Sequence, residues 1–242
     1  MRPRTLLLLL AWLLLGGALL LGLFALGRRR PQDLPWTRLD LAAPIGLFTG
    51  RKLTALGGDP ALCRALLARA GLADRAAPPL HGPGQCGYAD GERLLPGGAG
   101  TIAYRPAGLT TRCAVAAGLA VWEWEVVQPA AIRLFGQTVR RVDHFGSYNC
   151  RRIAGVDRGW SEHATGNAVD VAGFELADGR RISVARDWAR TRSPEAAFLR
   201  ATRDGACRLF ATVLSPDYNA AHHDHLHLDQ AARGAAGWRA CR

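Results

Sequence analysis

The sequence predicts an α+β domain with a mainly antiparallel sheet and flanking helices, carrying a single metal site and preceded by one N-terminal transmembrane helix. Three observations predict it. Thr5 to Gly27 is a run of 23 apolar or small residues without a charge, long enough to span a hydrocarbon core of about 30 Å as a helix. After it, stretches of period-two alternation are interleaved with stretches of helical period. Two of the alternating stretches, Ser161–Val171 (SEHATGNAVDV) and His222–Asp229 (HHDHLHLD), hold imidazoles and carboxylates on one face.

At 242 residues the chain suits one anchored domain with a sizeable core. Residues 1–30 read as a membrane anchor. The alternative, a cleaved signal peptide, fits less well: the apolar run exceeds the usual h-region, and Ala25-Leu26-Gly27-Arg28-Arg29-Arg30 is a poor cleavage site. Arginines flank the run on both sides (Arg2 and Arg4 before it, Arg28 to Arg30 after it), so basic residues do not set its orientation. The cysteines do. Cys63, Cys86, Cys113, Cys150, Cys207 and Cys241 all follow the run, none in a C-x-x-C. Six scattered cysteines suit disulfides in an oxidising compartment, which places the C-terminal domain in the periplasm and the run in the inner membrane, single-pass. Six cysteines allow 15 pairings; the simplest expectation joins neighbours, Cys63–Cys86, Cys113–Cys150 and Cys207–Cys241.

Residues 31–50 read as a linker, with prolines and no clear period from Pro31 to Pro44, and residues 51–242 as the periplasmic domain. Asp59-Pro60 opens a helix as N-cap and first helical residue, and Gly71 closes it. Residues 76–100, rich in Pro and Gly, read as loops and short strands pinned by Cys86. A long helix over about residues 111–127 stops before Pro129, with Leu119, Trp122 and Val126 facing the core and Glu123 and Glu125 in solvent. A short helical piece then ends at Gly136, and a strand runs from Val139 to Phe145, with His144 as an ordinary strand residue. A hairpin turns at Asp178-Gly179, and a last helix opens at Ser193-Pro194 and runs to about Phe210.

Around Asp170, residues Ala168 to Val171 alternate, which puts Asp170 on one face and Val169 and Val171 on the other. Gly166-Asn167 is a turn that brings His163 back over the strand. In the second stretch, His223, His225, His227 and Asp229 share one face, and Leu226 and Leu228 the other. An imidazole face is costly unless something uses it. Two nitrogens and one oxygen from protein, with a fourth position for water, is what a catalytic Zn²⁺ takes. Other divalent metals suit such donors as well.

The stretch from Arg112 to Asp229 resembles the bacterial extensin-like C-terminal domain family. The residues that carry the resemblance include Cys113, Trp122, Gln128-Pro129-Ala130, His144 to Arg151, Ser161 to Ala164, Asp170 to Phe174, and Ala220 to Asp229. That family is similar in its metal motifs to the zinc peptidases of the D-Ala-D-Ala carboxypeptidase, lysostaphin and hedgehog group, with H-x(6)-D followed by H-x-H or acid-x-x-His. His163 and Asp170 match the first part, and His227 matches the last ligand in either version. The resemblance implies zinc held by His163, Asp170 and His227, with hydrolysis of peptidoglycan peptide bonds by a D,D-carboxypeptidase or endopeptidase. His225 is the first choice for the base that takes the water proton, and Asp224 the second. Arg151, at the place of an arginine that faces the scissile carbonyl in those peptidases, would hold the oxyanion; Arg152 is its competitor. The rival expectation is a non-catalytic envelope-binding or structural domain with a vestigial or structural metal, its site closed by His223 or Asp229.

Removing the five arginines at positions 2, 4, 28, 29 and 30 from a formal net charge of +11 leaves +6 on residues 31–242. With no aromatic–basic stripe this favours anionic envelope polymers over nucleic acid as partners.

Overall fold

The structure, a computed structural model, describes residues 3–153, 159–234 and 237–242; residues 1 and 2 of the expected anchor therefore lie outside it. The α+β class is observed, with the apolar helix at its N-terminus. That helix, α1 (Pro3–Arg29), has no buried residue and a mean hydropathy of 2.6. Its length and composition suit a membrane span, and suit a signal sequence too.

The proline-bearing stretch expected as a linker is packed. Leu34, Leu39 and Leu41 are buried, and the Lys52 ammonium donates to Pro31 O and Thr37 Oγ1 at 2.9 and 2.8 Å. Apolar residues between the prolines are what draw this segment onto the body. Helix α2 (Thr49–Ala55) follows, then α3 (Pro60–Arg69), capped by Asp59, whose side chain accepts from Leu62 N. Residues 72–112 form short strands: β1 (Leu72–Ala76), β2 (Leu80–His81), β3 (Gly87–Tyr88), β4 (Gly91–Gly98), β5 (Ala103–Arg105) and β6 (Thr110–Arg112). They make a three-stranded sheet β1-β4-β6 and a β2-β3 ribbon, while β5 joins the main sheet.

Helix α4 (Cys113–Trp122) is buried at every residue and forms the axis of the core. The helix does not stop before Pro129, as the sequence suggested. A π-turn over Glu123–Val127 leads directly into α5 (Gln128–Phe135), with Pro129 inside. The wider turn, in which Gln128 N bonds to Glu123 O, absorbs the proline's missing donor and the clash of its ring.

The π-turn also overturns the expected exposure of Glu123, which is buried and whose Oε1 accepts from Thr101 N, Thr101 Oγ1 and Ile102 N. Burial raises its pKa, and these bonds only partly offset it. A carboxyl with a raised folded pKa favours folding most below its ordinary value, and that advantage is lost as pH rises through the folded pKa. Glu123→Gln, which keeps the acceptor without the charge, is expected to be at least as stable as wild type at pH 7, the difference closing as pH falls toward about 4.5. Glu123→Ala orphans three donors and is expected to cost about 2–3 kcal/mol in urea unfolding.

The main sheet runs β12-β10-β11-β8-β7-β5, with β9 also on β8. Its strands are β7 (Val139–Gly146), β8 (Ala168–Leu176), β9 (Arg181–Ser183), β10 (Thr212–Leu214), β11 (Leu226–Asp229) and β12 (Ala240–Cys241). The β11–β8–β7 centre is antiparallel, whereas β5–β7 and β10–β12 are parallel, so the sheet is mixed. Between β8 and β9, Gly179 turns with φ +87°, as the Asp-Gly pair predicts. Helices α6 (Val184–Asp187) and α7 (Pro194–Ala206) cover the sheet. Phe174 of β8 packs between Trp122 and Phe198 at ring separations of 5.8 and 5.0 Å.

The disulfides are Cys63–Cys113, Cys86–Cys150 and Cys207–Cys241. Only the last agrees with neighbour pairing. Helix α3 lies on the first turn of α4, so Cys63 meets Cys113, and the β2–β3 ribbon carries Cys86 to the end of β7. Non-reducing peptide mapping should recover these linkages. Cys63 and Cys113 are 50 residues apart, and the chain-entropy cost of closing such a loop predicts that Cys63→Ala/Cys113→Ala loses about 4 kcal/mol.

Candidate metal and catalytic site

The site is assembled by sheet register. His227 on β11 and Asp170 on β8 are direct cross-strand partners, close enough for their side chains to meet on the face opposite Val169, Val171, Leu226 and Leu228. On the other side of β8, Asp170 is registered with Gly146, which sets Ser147 beside the cluster. His163 arrives from a 3-10 turn, Glu162–Thr165, capped by Ser161. The return to β8 requires Gly166 at φ +65°, where a Cβ would also crowd the Tyr88 ring at 3.0 Å.

Three acceptor atoms converge. His163 Nε2 lies 3.1 Å from Asp170 Oδ1 and 3.1 Å from His227 Nδ1, and His227 Nδ1 lies 2.9 Å from Asp170 Oδ1. The far nitrogen of each ring is engaged. His163 Nδ1 sits 2.6 Å from the Ser147 carbonyl, which can only accept, so Nδ1 carries the proton and Nε2 presents a lone pair. His227 Nε2 faces Asp229 Oδ2 at 3.3 Å, so in a neutral ring Nε2 carries the proton and Nδ1 the lone pair, whereas in a protonated ring Nδ1–H donates to Asp170. Three lone pairs aimed at one point need a positive charge between them, a shared proton or a cation.

The charges reflect this crowding. Burial would raise the Asp170 carboxyl, but hydrogen bonds from His163 and His227 outweigh it and hold it far below the carboxylate range. Burial would lower His227, but its contacts with Asp170 and Asp229 push it up to about 9. His222 is pulled down to about 4 by burial and by the neighbouring His225 and His227, with Arg151 adding to the effect.

The group His163, Asp170, His227 can hold a metal ion. Tetrahedral zinc bonds of about 2.0–2.2 Å place neighbouring donors roughly 3.3–3.6 Å apart, a few tenths beyond the spacings here. An outward breath of each side chain meets that, so the residues fit the ion. Each imidazole also donates to a carbonyl or carboxylate behind it, the support that metal-binding histidines use.

The other sequence-predicted residues fall around this triad. His225 precedes β11, with Nε2 3.5 Å from Asp170 Oδ1 and Nδ1 2.8 Å from Asp224 Oδ1. Asp224 thus stands behind His225 and orients its ring. The exposed Phe145 packs edge-on against that ring at 5.8 Å. Arg151 is exposed beside the Cys86–Cys150 bridge, and its field reaches His222. Arg152 is stacked on Trp160 at 4.2 Å. His144 is a buried strand residue with Nε2 2.8 Å from Pro106 O. His223 is exposed, with Nδ1 2.9 Å from Ala220 O, outside the cluster, because β11 starts only at Leu226 and the expected alternation does not reach back to it. Asp229 lies behind His227, on the nitrogen that faces away from Asp170.

Two participants were missed. His222 packs tilted against His225 at a ring separation of 5.1 Å; its place is set by the 3-10 turn capped by Asn219, which no periodicity signals. The Ser147 carbonyl is a backbone group with no sequence signature.

A family model described as extensin-like protein C-terminus matches residues 61–242. No curated protein and no solved structure matches.

Proposed function

The chain belongs to the extensin-like protein C-terminus family, and from that premise we propose that it is a zinc-dependent hydrolase of peptidoglycan peptide bonds, anchored in the inner membrane with its C-terminal domain in the periplasm. The family and the apolar helix α1 together fit a membrane-anchored cell-envelope protein, and three disulfides suit an oxidising compartment. The observation that carries the hydrolase reading is the convergence of His163 Nε2, His227 Nδ1 and Asp170 Oδ1 within 3.1 Å of one another, with the far nitrogen of each ring held by the Ser147 carbonyl or Asp229.

A bound zinc ion would supply Lewis acidity, polarising a carbonyl and making water acidic near neutral pH. His163, Asp170 and His227 would hold it. His225 stands beside them to take the water proton on Nε2, while Asp224 accepts from Nδ1–H and steadies the imidazolium that forms. Arg151, at the exposed rim, would face the developing oxyanion. A basic domain surface suits an anionic polymer substrate.

The test is metal content and muropeptide cleavage by the purified full-length protein in detergent. About one zinc per chain with release of cleaved stem peptide is expected. Stoichiometric zinc without cleavage of any stem or cross-linked muropeptide would favour the binding-domain reading.

A further inference from the structure

A cavity of about 530 Å³ lies between α2 and the chain that follows β11. Four arginines line it, Arg51, Arg112, Arg233 and Arg239, and no aspartate or glutamate is among the described lining residues. Arg112 is answered from outside, with Nε 2.8 Å from Asp90 Oδ1. Arg233 and Arg239 make no salt bridge to a carboxylate among the described residues. Arg233 donates to Ala211 O at 3.1 Å and to Thr212 Oγ1, and lies over the Trp238 ring at 4.4 Å. Arg239 donates to Phe210 O, and its Nε is buried without a hydrogen-bond partner among the described residues. Neutral acceptors and an aromatic face orient these two guanidinium groups, and the fields of Glu162 on Arg233 and of Asp229 on Arg239 offset their charge only in part. The Arg239 guanidinium is accordingly lowered to about 10, first by burial and then by Arg51 and Arg233, with Asp229 offsetting part of it.

Gathering like charges around a cavity costs folding energy that an anion would return. The wall amides are already engaged, since Gln230 accepts from Thr54 Oγ1 and donates to Leu209 O, and Asn167 donates to Glu162. Recognition therefore falls on guanidinium forks, whose planar donor pairs match carboxylate and phosphate oxygens. We infer that this cavity binds an oxyanion, a carboxylate or phosphate group, on Arg51, Arg233 and Arg239. The inference stands apart from the metal reading.

The test is calorimetric titration of the full-length protein in detergent with inorganic phosphate and, separately, succinate, ionic strength held constant with chloride. Saturable binding is expected. The tighter of the two identifies whether a phosphate-bearing or a carboxylate-bearing ligand is the better match. Arg51→Gln and Arg233→Gln are each expected to weaken it about tenfold or more. Arg51 is exposed, so its variant folds even if one at Arg233 does not. His163→Ala is expected to bind the anion as wild type does. Loss of binding in His163→Ala would move the anion to the histidine cluster and overturn the inference. So would unchanged affinity in Arg51→Gln, or no saturable binding of either anion.

Discussion

Zinc is expected to be absent from His163→Ala and from His227→Ala, and muropeptide hydrolysis to be abolished in both. Each variant removes one of three protein donors, and the remaining pair lacks the convergence that makes the site. His163 Nε2 touches both other donor atoms, so its loss opens two of the three contacts at once. The control is graded. Asp229→Asn leaves all three donors and weakens only the support behind His227, which for such groups is worth about 10–100-fold in metal affinity. The ligand variants should fall well beyond that range, measured by elemental analysis after dialysis against a weak chelator. Thermal unfolding under metal-free conditions separates loss of a ligand from loss of the fold. His227 lies on the polar side of β11 and His163 on the 3-10 turn that precedes β8, and the apolar side of the sheet is untouched by either change. A stoichiometric ion in both variants would sink the assignment.

What could be read from sequence here was what local chemistry determines. Alternation at Ala168–Val171 and at Leu226–Asp229 put Asp170 and His227 on polar faces, and sheet register then brought those faces together. The Gly166-Asn167 turn returned His163 to the strand. The Asp59-Pro60 cap, the Asp178-Gly179 hairpin and the apolar α1 were legible for the same reason, since each is decided by a few adjacent residues. The failures involve neighbours distant in sequence. Cys63 pairs with Cys113 because α3 packs on α4, a contact across 50 residues. Glu123 is buried because the 101–102 segment supplies three donors to it, and a helical wheel has no knowledge of that segment. Pro129 sits inside a continuous helical run because a π-turn makes room, which overrides the usual stop signal. The arginine cavity escaped notice because Arg51 and Arg239 are 188 positions apart and the charge balance of the whole domain gives no hint that they meet.

His225→Ala decides whether the site is open and catalytic. Its Nε2 lies 3.5 Å from Asp170 Oδ1, near enough to serve either as the base beside a three-donor site or as a fourth donor that closes it. The pairing with Asp224 at 2.8 Å favours the base, since a carboxylate behind an imidazole stabilises the charge the ring gains on taking a proton. A positioned base contributes about 10²–10⁴-fold. His225→Ala is therefore expected to keep its zinc and lose kcat by that factor, with KM little changed, because the ring acts on the reacting water and not on the substrate's bulk. Asp224→Asn keeps a hydrogen-bond acceptor but no charge, and should fall between wild type and His225→Ala in kcat while also retaining zinc. If His225→Ala instead sheds zinc as completely as His163→Ala, the imidazole is a ligand and no position remains for water. The chain would then be an envelope-binding protein with a structural metal, and the dense histidine cluster would exist to tie β11 to β8 rather than to cleave a bond.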